Sequence, residues 1–147
     1  MSSSHPEDRA LPTVGALLRL AWSAFRERLY AAVQAAGYTD LQPGHVLVFR
    51  YPTIEGVRPK DLADQLGISK QAMNDVLRHL ESRGYLELRP DPSDGRAKLI
   101  SLTPRGSELM ELTHTMAQDV ADEWAVRVGR ERLAALRETL IELVRQE

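Results

Sequence analysis

The polar side chains best suited to specific chemistry lie in one stretch of the chain, residues 61–80. Gln71, Asn74 and Arg78 follow one another at helical spacing, and a rotation of 100° per residue puts them on one face. Amide side chains can bond to adenine, and a guanidinium can bond to guanine or to phosphate. The opposite face carries three apolar residues, Met73, Leu77 and Leu80. This pattern indicates a helix that buries one side and offers the other to a nucleic acid.

The residues before this helix predict a tight turn between two helices. Leu62 and Leu66 lie on one face of a short helix, and Gly67 permits a sharp turn after it. Ile68 can fill the turn, and Ser69 can cap the helix that follows. This spacing is typical of a helix-turn-helix, although an ordinary corner between two helices uses similar residues.

The segment after the helix favours the first of these two interpretations. Strand-like stretches at 85–89 and 97–102 flank residues 90–96, where an Asp-Gly pair and two prolines predict a hairpin tip. The tip carries Arg96, and Lys98 comes just beyond it. A basic hairpin directly after a helix with a polar face predicts a DNA-binding winged helix-turn-helix.

Two further helices are predicted before the motif. Apolar residues at steps of three and four predict one helix over residues 11–36, which Gly37 closes. Thr39 or Asp40 can cap a second helix, which we expect to run to Tyr51 because a proline follows.

Two more helices are predicted after the hairpin. Thr103 can cap a helix with Pro104 at its first position, and Gly129 separates this helix from the last one. The third helix of the chain starts at Pro59, so the predicted order is four helices, a hairpin and two helices. This order is a mainly α fold with a small β component (α+β). The apolar stripes of the outer helices exceed what the lobe needs to cover, which predicts a homodimer.

Three stretches of the sequence form a recognisable pattern. They are Leu-Ala-Asp-Gln-Leu-Gly-Ile-Ser at 62–69, Leu-Arg-His-Leu-Glu-Ser-Arg-Gly-Tyr-Leu at 77–86 and Asp-Pro-Ser-Asp-Gly-Arg-Ala-Lys-Leu-Ile-Ser-Leu-Thr-Pro-Arg-Gly at 91–106. In these stretches the chain resembles the multiple-antibiotic-resistance regulator (MarR) family of bacterial transcription factors. The third stretch resembles the family's wing signature, an Asp-x-Arg core followed by a strand and a Leu-Thr-x-x-Gly restart of helix. The resemblance implies one domain over 1–147, with a winged helix-turn-helix lobe at 40–103 and dimerisation helices at 11–36 and 104–146.

The second helix of the motif is expected to supply the contacts to the major groove. Asp75 lies on the same polar face of this helix as Asn74 and Arg78, where its negative charge should repel phosphate. It could accept a hydrogen bond from a cytosine amino group or pair with a neighbouring cation. Each polar side chain on this face could instead be an ordinary solvated residue. The residues expected in the major groove or at its edges are Ser69, Lys70, Gln71, Asn74 and Arg78.

The wing is expected to supply the remaining contacts. Arg96 should enter the minor groove, where narrow A·T-rich tracts concentrate negative potential. Lys98 should contact a phosphate, whereas Thr103 is expected to cap a helix and not to bind DNA. By the resemblance, Asp94 would orient Arg96 through an ion pair.

The resemblance also implies a possible effector site. Proteins of this kind often bind small aromatic or phenolic molecules between the dimer helices and the DNA-binding lobe. The aromatic residues that would line such a site, which are named at the end of this paragraph, could equally be core residues on helix faces. The chain has no cysteine, which excludes thiol oxidation as its switch. The candidate lining residues are Trp22, Phe25, His45, Phe49 and Tyr51.

Composition and motifs argue against several other classes of protein. The histidines show no metal-ligand spacing, and the chain has neither a glycine-rich phosphate loop nor a Gly-x-Ser-x-Gly elbow. We therefore expect that the protein is not an enzyme and that it binds neither a metal ion nor a cofactor. No apolar run approaches the ~18–20 residues of a membrane span, and the polar N-terminus does not resemble a secretory signal. We therefore expect a cytoplasmic protein without a membrane partner.

The net charge of −2 alone speaks against a nucleic-acid partner, but the charge is unevenly distributed. Residues 58–105 carry nine basic side chains against seven acidic ones. The sequence therefore predicts a homodimeric repressor that binds a pseudo-palindromic operator in double-stranded DNA and is released by a small aromatic or phenolic ligand. The alternative is a winged-helix module for protein interaction, whose basic wing is merely solvated.

Overall fold

The computed structural model of this 147-residue chain describes residues 11–49 and 53–145. The described part is mainly helical and contains one two-stranded antiparallel sheet in the predicted order, which confirms the predicted fold class. The elements are α1 (Val14–Ala35), α2 (Pro43–Val46), α3 (Pro59–Leu66), α4 (Lys70–Ser82), β1 (Leu86–Asp91), β2 (Asp94–Leu102), α5 (Pro104–Val128) and α6 (Arg130–Val144).

Capping side chains and a glycine set several helix ends as predicted. The Ser69 hydroxyl accepts a hydrogen bond from the Ala72 amide at 3.1 Å, and the Thr103 hydroxyl accepts one from the Gly106 amide at 3.1 Å. Gly67 follows α3 with a left-handed φ of 65°. This conformation gives the chain the sharp change of direction that separates α3 from α4.

The second helix is shorter than predicted. It begins at Pro43 and ends at Val46, instead of continuing to Tyr51. Val46, Val48 and Phe49 are all buried, although residues i and i+2 lie on different sides of an α-helix. Because the core takes up all three side chains, the chain leaves helical geometry and continues as a turn. Tyr51, the expected end of the helix, lies outside the described residues.

The tip of the hairpin also differs from the prediction. The two strands extend to Asp91 and Asp94, so Pro92 and Ser93 alone form the turn. Asp91 Oδ1 accepts hydrogen bonds from the Ser93 amide (2.8 Å) and the Ser93 hydroxyl (2.7 Å), and these bonds close the turn locally. The prediction that the Asp-Gly pair makes the tip is wrong, because Gly95 lies in β2.

One apolar core joins the lobe to α1 and α5. The predicted inward face of α4 is buried, since Met73, Leu77 and Leu80 are each at most 1% exposed. This burial fixes which side of α4 faces the solvent. Other elements contribute Leu29, Val33, Leu62, Ala63, Leu86, Ile100 and Leu109 to the same cluster.

The outer helices leave much apolar surface exposed, as the dimer prediction requires. None of the described residues of α6 is buried. No helix in the described part of the chain is long and apolar enough to span a membrane. The large apolar side chains on α1, α5 and α6 that are exposed by 40% or more are Val14, Leu17, Leu18, Leu20, Trp22, Val126, Val128, Leu136, Leu143 and Val144.

The first turn of α5 makes a close backbone contact that can be tested by substitution. Gly106 is buried there, and an added Cβ would lie 1.9 Å from the carbonyl oxygen of Tyr85. We expect Gly106→Ala to lower the free energy of unfolding by roughly 1–3 kcal/mol, the usual cost of overpacking a core. Gly15→Ala is the matched control, because Gly15 lies in α1 with nothing within 4 Å of an added Cβ. Urea unfolding followed by circular dichroism measures both variants, and a fully stable Gly106→Ala protein would contradict the prediction.

Candidate nucleic-acid interface

The solvent-facing side of α4 carries the polar side chains that the sequence predicts. Gln71, Asn74 and Arg78 are exposed, because the apolar side of the same helix is buried in the core. Lys70 is exposed in the first turn, and the exposed Ser69 caps the helix. All five residues expected at the major groove therefore lie on exposed positions of α4 or at its N-terminus.

Asp75 adopts one of the two roles that the sequence left open. Its Oδ1 lies 4.0 Å from Nη1 of Arg78, and the two side chains are 65% and 79% exposed. Water screens an ion pair as exposed as this one, so the pair is weak. Arg78 therefore remains free to turn toward a phosphate or a base.

A residue that sequence reasoning missed lies beside α4. Lys60, Lys70 and Asn74 line a cavity of about 230 Å³ together with Pro59 and Met73. The sequence contained a usable signal, since Pro59 at the first position of α3 places Lys60 in the first turn of that helix. Two lysines on neighbouring helix N-termini form a positive surface next to the outward face of α4.

The wing presents the two cations that the sequence predicts, but Asp94 does not pair with Arg96 as expected. Arg96 and Lys98 are exposed on β2. Asp94 Oδ1 accepts a hydrogen bond from the backbone amide of Arg96 at 3.1 Å, whereas the ion pairs among the described residues leave the Arg96 guanidinium without a carboxylate. The nearest amide occupies the carboxylate, because Asp94 precedes Arg96 by only two residues. The expected ion pair is therefore replaced by a backbone contact.

At the tip of the wing, the carboxylate of Asp91 pairs with an arginine from outside the hairpin. Asp91 Oδ2 accepts hydrogen bonds from Arg58 Nε (2.9 Å) and Arg58 Nη2 (2.5 Å). Hydrogen bonds from Ser93 and the charge of Arg58 lower the pKa of Asp91, so the carboxylate is ionised at neutral pH. Arg58 precedes Asp91 by 33 residues, and no local pattern in the sequence could have indicated the pair.

A second polar cluster joins the lobe to α5. The Tyr85 hydroxyl donates to Asp40 Oδ1 at 2.6 Å, and Arg105 donates to Asp40 Oδ2 at 3.2 Å. The Arg105 guanidinium also lies over the Tyr85 ring, 4.2 Å from its centre. Burial raises the pKa of Asp40, but the Tyr85 hydrogen bond and the Arg105 charge outweigh burial and hold that pKa below its ordinary value. The ionised carboxylate therefore holds the start of α5 against the lobe.

His45 was expected at an effector cleft, but it stacks on a second histidine. The rings of His45 and His79 are 4.1 Å apart and nearly parallel. His45 Nδ1 accepts a hydrogen bond from the Gln42 amide at 2.9 Å, and His79 Nε2 lies 2.8 Å from the carbonyl oxygen of Asp40. The pair links α2 to α4.

No group of three or more potential ligands in residues 11–49 and 53–145 could hold a metal ion.

An apolar cavity of about 200 Å³ lies between α1, α5 and the stretch of chain at 46–49. Trp22, Phe25 and Phe49, three of the five expected effector-site residues, line it. His45 does not line it, and Tyr51 lies outside the described residues. The structure thus brings two aromatic residues of α1 together with Phe49, which follows α2 and is itself a buried core residue. The other lining residues are Leu29, Val46, Leu47, Thr113, His114 and Ala117.

Comparison with known proteins finds a family match within the lobe. Residues 39–97 match the model of the MarR family. The chain is 30% identical over 82 residues to the transcriptional activatory protein BadR of Rhodopseudomonas palustris, a match that covers 55% of this chain and 47% of that protein. It is also 30% identical over 81 residues to the multiple antibiotic resistance protein MarR of Salmonella typhimurium, covering 54% and 56% of the two chains. The chain therefore spans about half the length of the curated relatives it matches.

Solved structures share the fold over nearly the whole chain. The reduced form of MarR from E. coli superposes with a TM-score of 0.77 at 22% identity, covering 92% of this chain and 98% of that one. A mutant MarR from E. coli complexed with operator DNA gives 0.74 at 22% identity, covering 97% and 100%. The transcriptional repressor CouR, bound to a 23-mer DNA duplex, gives 0.73 at 23% identity, covering 99% and 100%. At sequence identities of 22–23%, the similarity to these structures shows a shared fold only.

The stacked histidines predict that acid destabilises the lobe. Burial and then the charge of His79 lower the pKa of His45 from its ordinary value of 6.5, although Asp40 opposes the shift. Below the unfolded-state pKa, the unfolded chain binds a proton that the folded chain excludes, so stability falls as the pH falls. We expect the melting temperature to drop between pH ~7 and ~5 and to drop less in His45→Asn, whose amide oxygen can still accept from the Gln42 amide. Equal pH dependence of the two proteins would contradict this assignment.

Proposed function

We propose that the chain is a member of the MarR family, whose model matches residues 39–97, and that it is a homodimeric transcriptional regulator that binds double-stranded DNA. The observation that carries the proposal is the exposed polar face of α4 beside a wing with two exposed cations. A helix of this kind fits the major groove, and a cationic hairpin reaches the groove next to it. We propose residues 40–103 as the DNA-binding lobe within one domain.

In the proposed complex, each polar side chain has a role that follows from its chemistry. Gln71 and Asn74 read adenine edges, and Arg78 contacts guanine or phosphate. Ser69, at the start of α4, stands where a phosphate would approach the helix. Arg96 enters the minor groove. The residues proposed to contact phosphates as cations are Lys60, Lys70 and Lys98.

The outer helices are proposed as the dimer interface. Apolar side chains line a groove of about 550 Å³ between α5 and α6 and a second of about 330 Å³ between α1, α5 and α6. Leu136 lines both grooves and is 47% exposed in the single chain. A two-fold pairing of these faces at 11–36 and 104–146 would place two copies of α4 on successive turns of a pseudo-palindromic operator.

We propose that the protein represses transcription and that binding of an effector releases it from the operator. A dimer that covers two successive turns of DNA sterically excludes other proteins from that DNA. Repression therefore does not require a further surface that binds another protein. An aromatic or phenolic effector would fit the apolar cavity lined by Trp22, Phe25 and Phe49, which lies where the outer helices meet the lobe. Such a regulator acts where the DNA is, in the cytoplasm. The family is one of transcriptional regulators and not of enzymes.

DNA affinity at two salt concentrations tests the proposed function. Because several phosphate contacts release counterions, the affinity for a duplex should fall steeply between ~50 and ~200 mM salt. Arg96→Ala should weaken binding about tenfold or more without changing the oligomeric state, since one groove contact is lost. Arg132→Ala removes the same charge from an exposed position of α6 that lines neither apolar groove, and it should bind almost as the wild type does. Absence of DNA binding even at low salt would favour a protein-interaction module instead.

Sedimentation velocity tests the proposed dimer independently of DNA. At micromolar concentration the chain should sediment as a dimer, because pairing would cover the large apolar side chains that its outer helices expose. Leu136→Asp places a charge on the apolar face and should shift the protein toward the monomer. A wild-type protein that sediments as a monomer would contradict the proposal.

A further inference from the structure

The segment of the wing that carries Arg96 is not held by the strand ladder. Pro90 on β1 pairs with Lys98 on β2, and the next pair along is Asp91 with Asp94. Gly95, Arg96 and Ala97 therefore bulge out of the register between these two pairs. A bulge re-aims a side chain, but it gives up the ladder contacts that would fix its position. The direction of Arg96 therefore depends on the hydrogen bond from its backbone amide to Asp94 and on what anchors the two ends of the bulge.

Asp91 is the anchor at the tip side of the bulge. Its carboxylate accepts four hydrogen bonds, two on Oδ2 from Arg58 and two on Oδ1 from Ser93. The side chain of Asp91 is only 7% exposed, whereas that of Arg58 is 41% exposed. The two oxygens thus join the turn of the wing to a residue outside the wing.

Arg58 is itself held at a fixed place between the hairpin and the helix-turn-helix. It is the N-cap residue of α3, directly before Pro59. The preceding backbone pairs with the middle of β2, since the Gly56 amide donates to the Ile100 carbonyl (2.8 Å) and the Ile100 amide donates to the Val57 carbonyl (3.0 Å). Arg58 therefore transmits the position of α3 to the tip of the wing.

The geometry favours a positioning role over direct contact of Arg58 with DNA. Two of its N–H groups, on Nε and Nη2, point at the Asp91 carboxylate. The pair as a whole carries no net charge, so it attracts phosphate far less than an unpaired arginine does. Arg89 differs, since its partner among the described residues is the exposed Glu87, two residues away on the same strand.

We propose that Arg58 and Asp91 are positioning residues that set the distance between α4 and Arg96, so that the helix and the wing engage neighbouring grooves as one rigid body. The inference rests on the proposed DNA-binding function. Arg58 acts through Asp91, and Asp91 acts through the bulge that carries Arg96. Neither residue needs to touch the DNA.

The sign of the effect of Asp91→Asn distinguishes positioning from simple electrostatics. Removing a negative charge near the DNA would strengthen binding if only net charge mattered. If Asp91 anchors the wing, the same substitution weakens binding about tenfold, the cost of one lost ordered contact. Arg58→Gln should weaken binding by a similar factor, and Arg58→Lys should recover part of it because lysine can still donate to Asp91. Arg89→Gln is the charge-matched control and should change affinity less than Arg58→Gln does.

A double-mutant cycle with Arg96→Ala shows whether the effect passes through Arg96. In the Arg96→Ala background, Arg58→Gln and Asp91→Asn should cause less than about a twofold further loss, since the contact they position is already gone. Thermal melting and sedimentation of every variant show whether the fold and the oligomeric state are intact. If Asp91→Asn binds more tightly, or if the losses add fully to that of Arg96→Ala, the positioning role is wrong. A wild-type protein that binds no duplex DNA would instead overturn the proposed function.

Discussion

The burial of Met73, Leu77 and Leu80 fixes the rotation of α4 about its axis, and the proposed DNA-reading face depends on that rotation. Each large apolar side chain gains about 1.5–3 kcal/mol when it leaves water, whereas a typical surface side chain changes stability by about 0.5 kcal/mol or less. The apolar face therefore decides the orientation. A turn of 100°, the step of one residue, would bring polar side chains into the core. Gln71 and Asn74 face the solvent because exposing the opposite, apolar face of α4 would cost more free energy.

The lobe is joined to the outer helices by contacts that leave little freedom between them. Contacts among Asp40, Tyr85 and Arg105 connect the chain just before α2, the residue just before β1 and the first turn of α5. Gly106 lets the backbone of α5 approach that of Tyr85 closely. A small displacement of α5 should therefore carry the lobe with it as a body. In the proposed dimer, this coupling would turn the occupation of the apolar cavity into a change in the separation of the two α4 helices.

Much of this arrangement could be predicted from the sequence, because it depends on local patterns. The element order, the caps at Ser69 and Thr103 and the inward face of α4 follow from periodicity and side-chain chemistry within a few residues. The length of α2 could not be predicted, since the core takes up side chains that no single helical face presents together. The Asp-Gly pair suggested the wrong turn, because the bonds from Ser93 to Asp91 close the hairpin two residues earlier. The Arg58–Asp91 pair and the His45–His79 stack join residues far apart in the chain, so only the folded structure shows them.

Selection of bound duplexes from a random library tests most directly the central claim, that a symmetric pair of α4 helices and wings reads DNA. The positions of the half-sites in the selected sequences measure the spacing and symmetry of the two α4 helices and their wings. Two-fold pairing predicts enrichment of inverted repeats whose half-site centres lie about 10 bp apart, with A·T-rich tracts where the wings reach the minor groove. Failure to enrich any sequence, or enrichment of single half-sites without an inverted repeat, would contradict the claim.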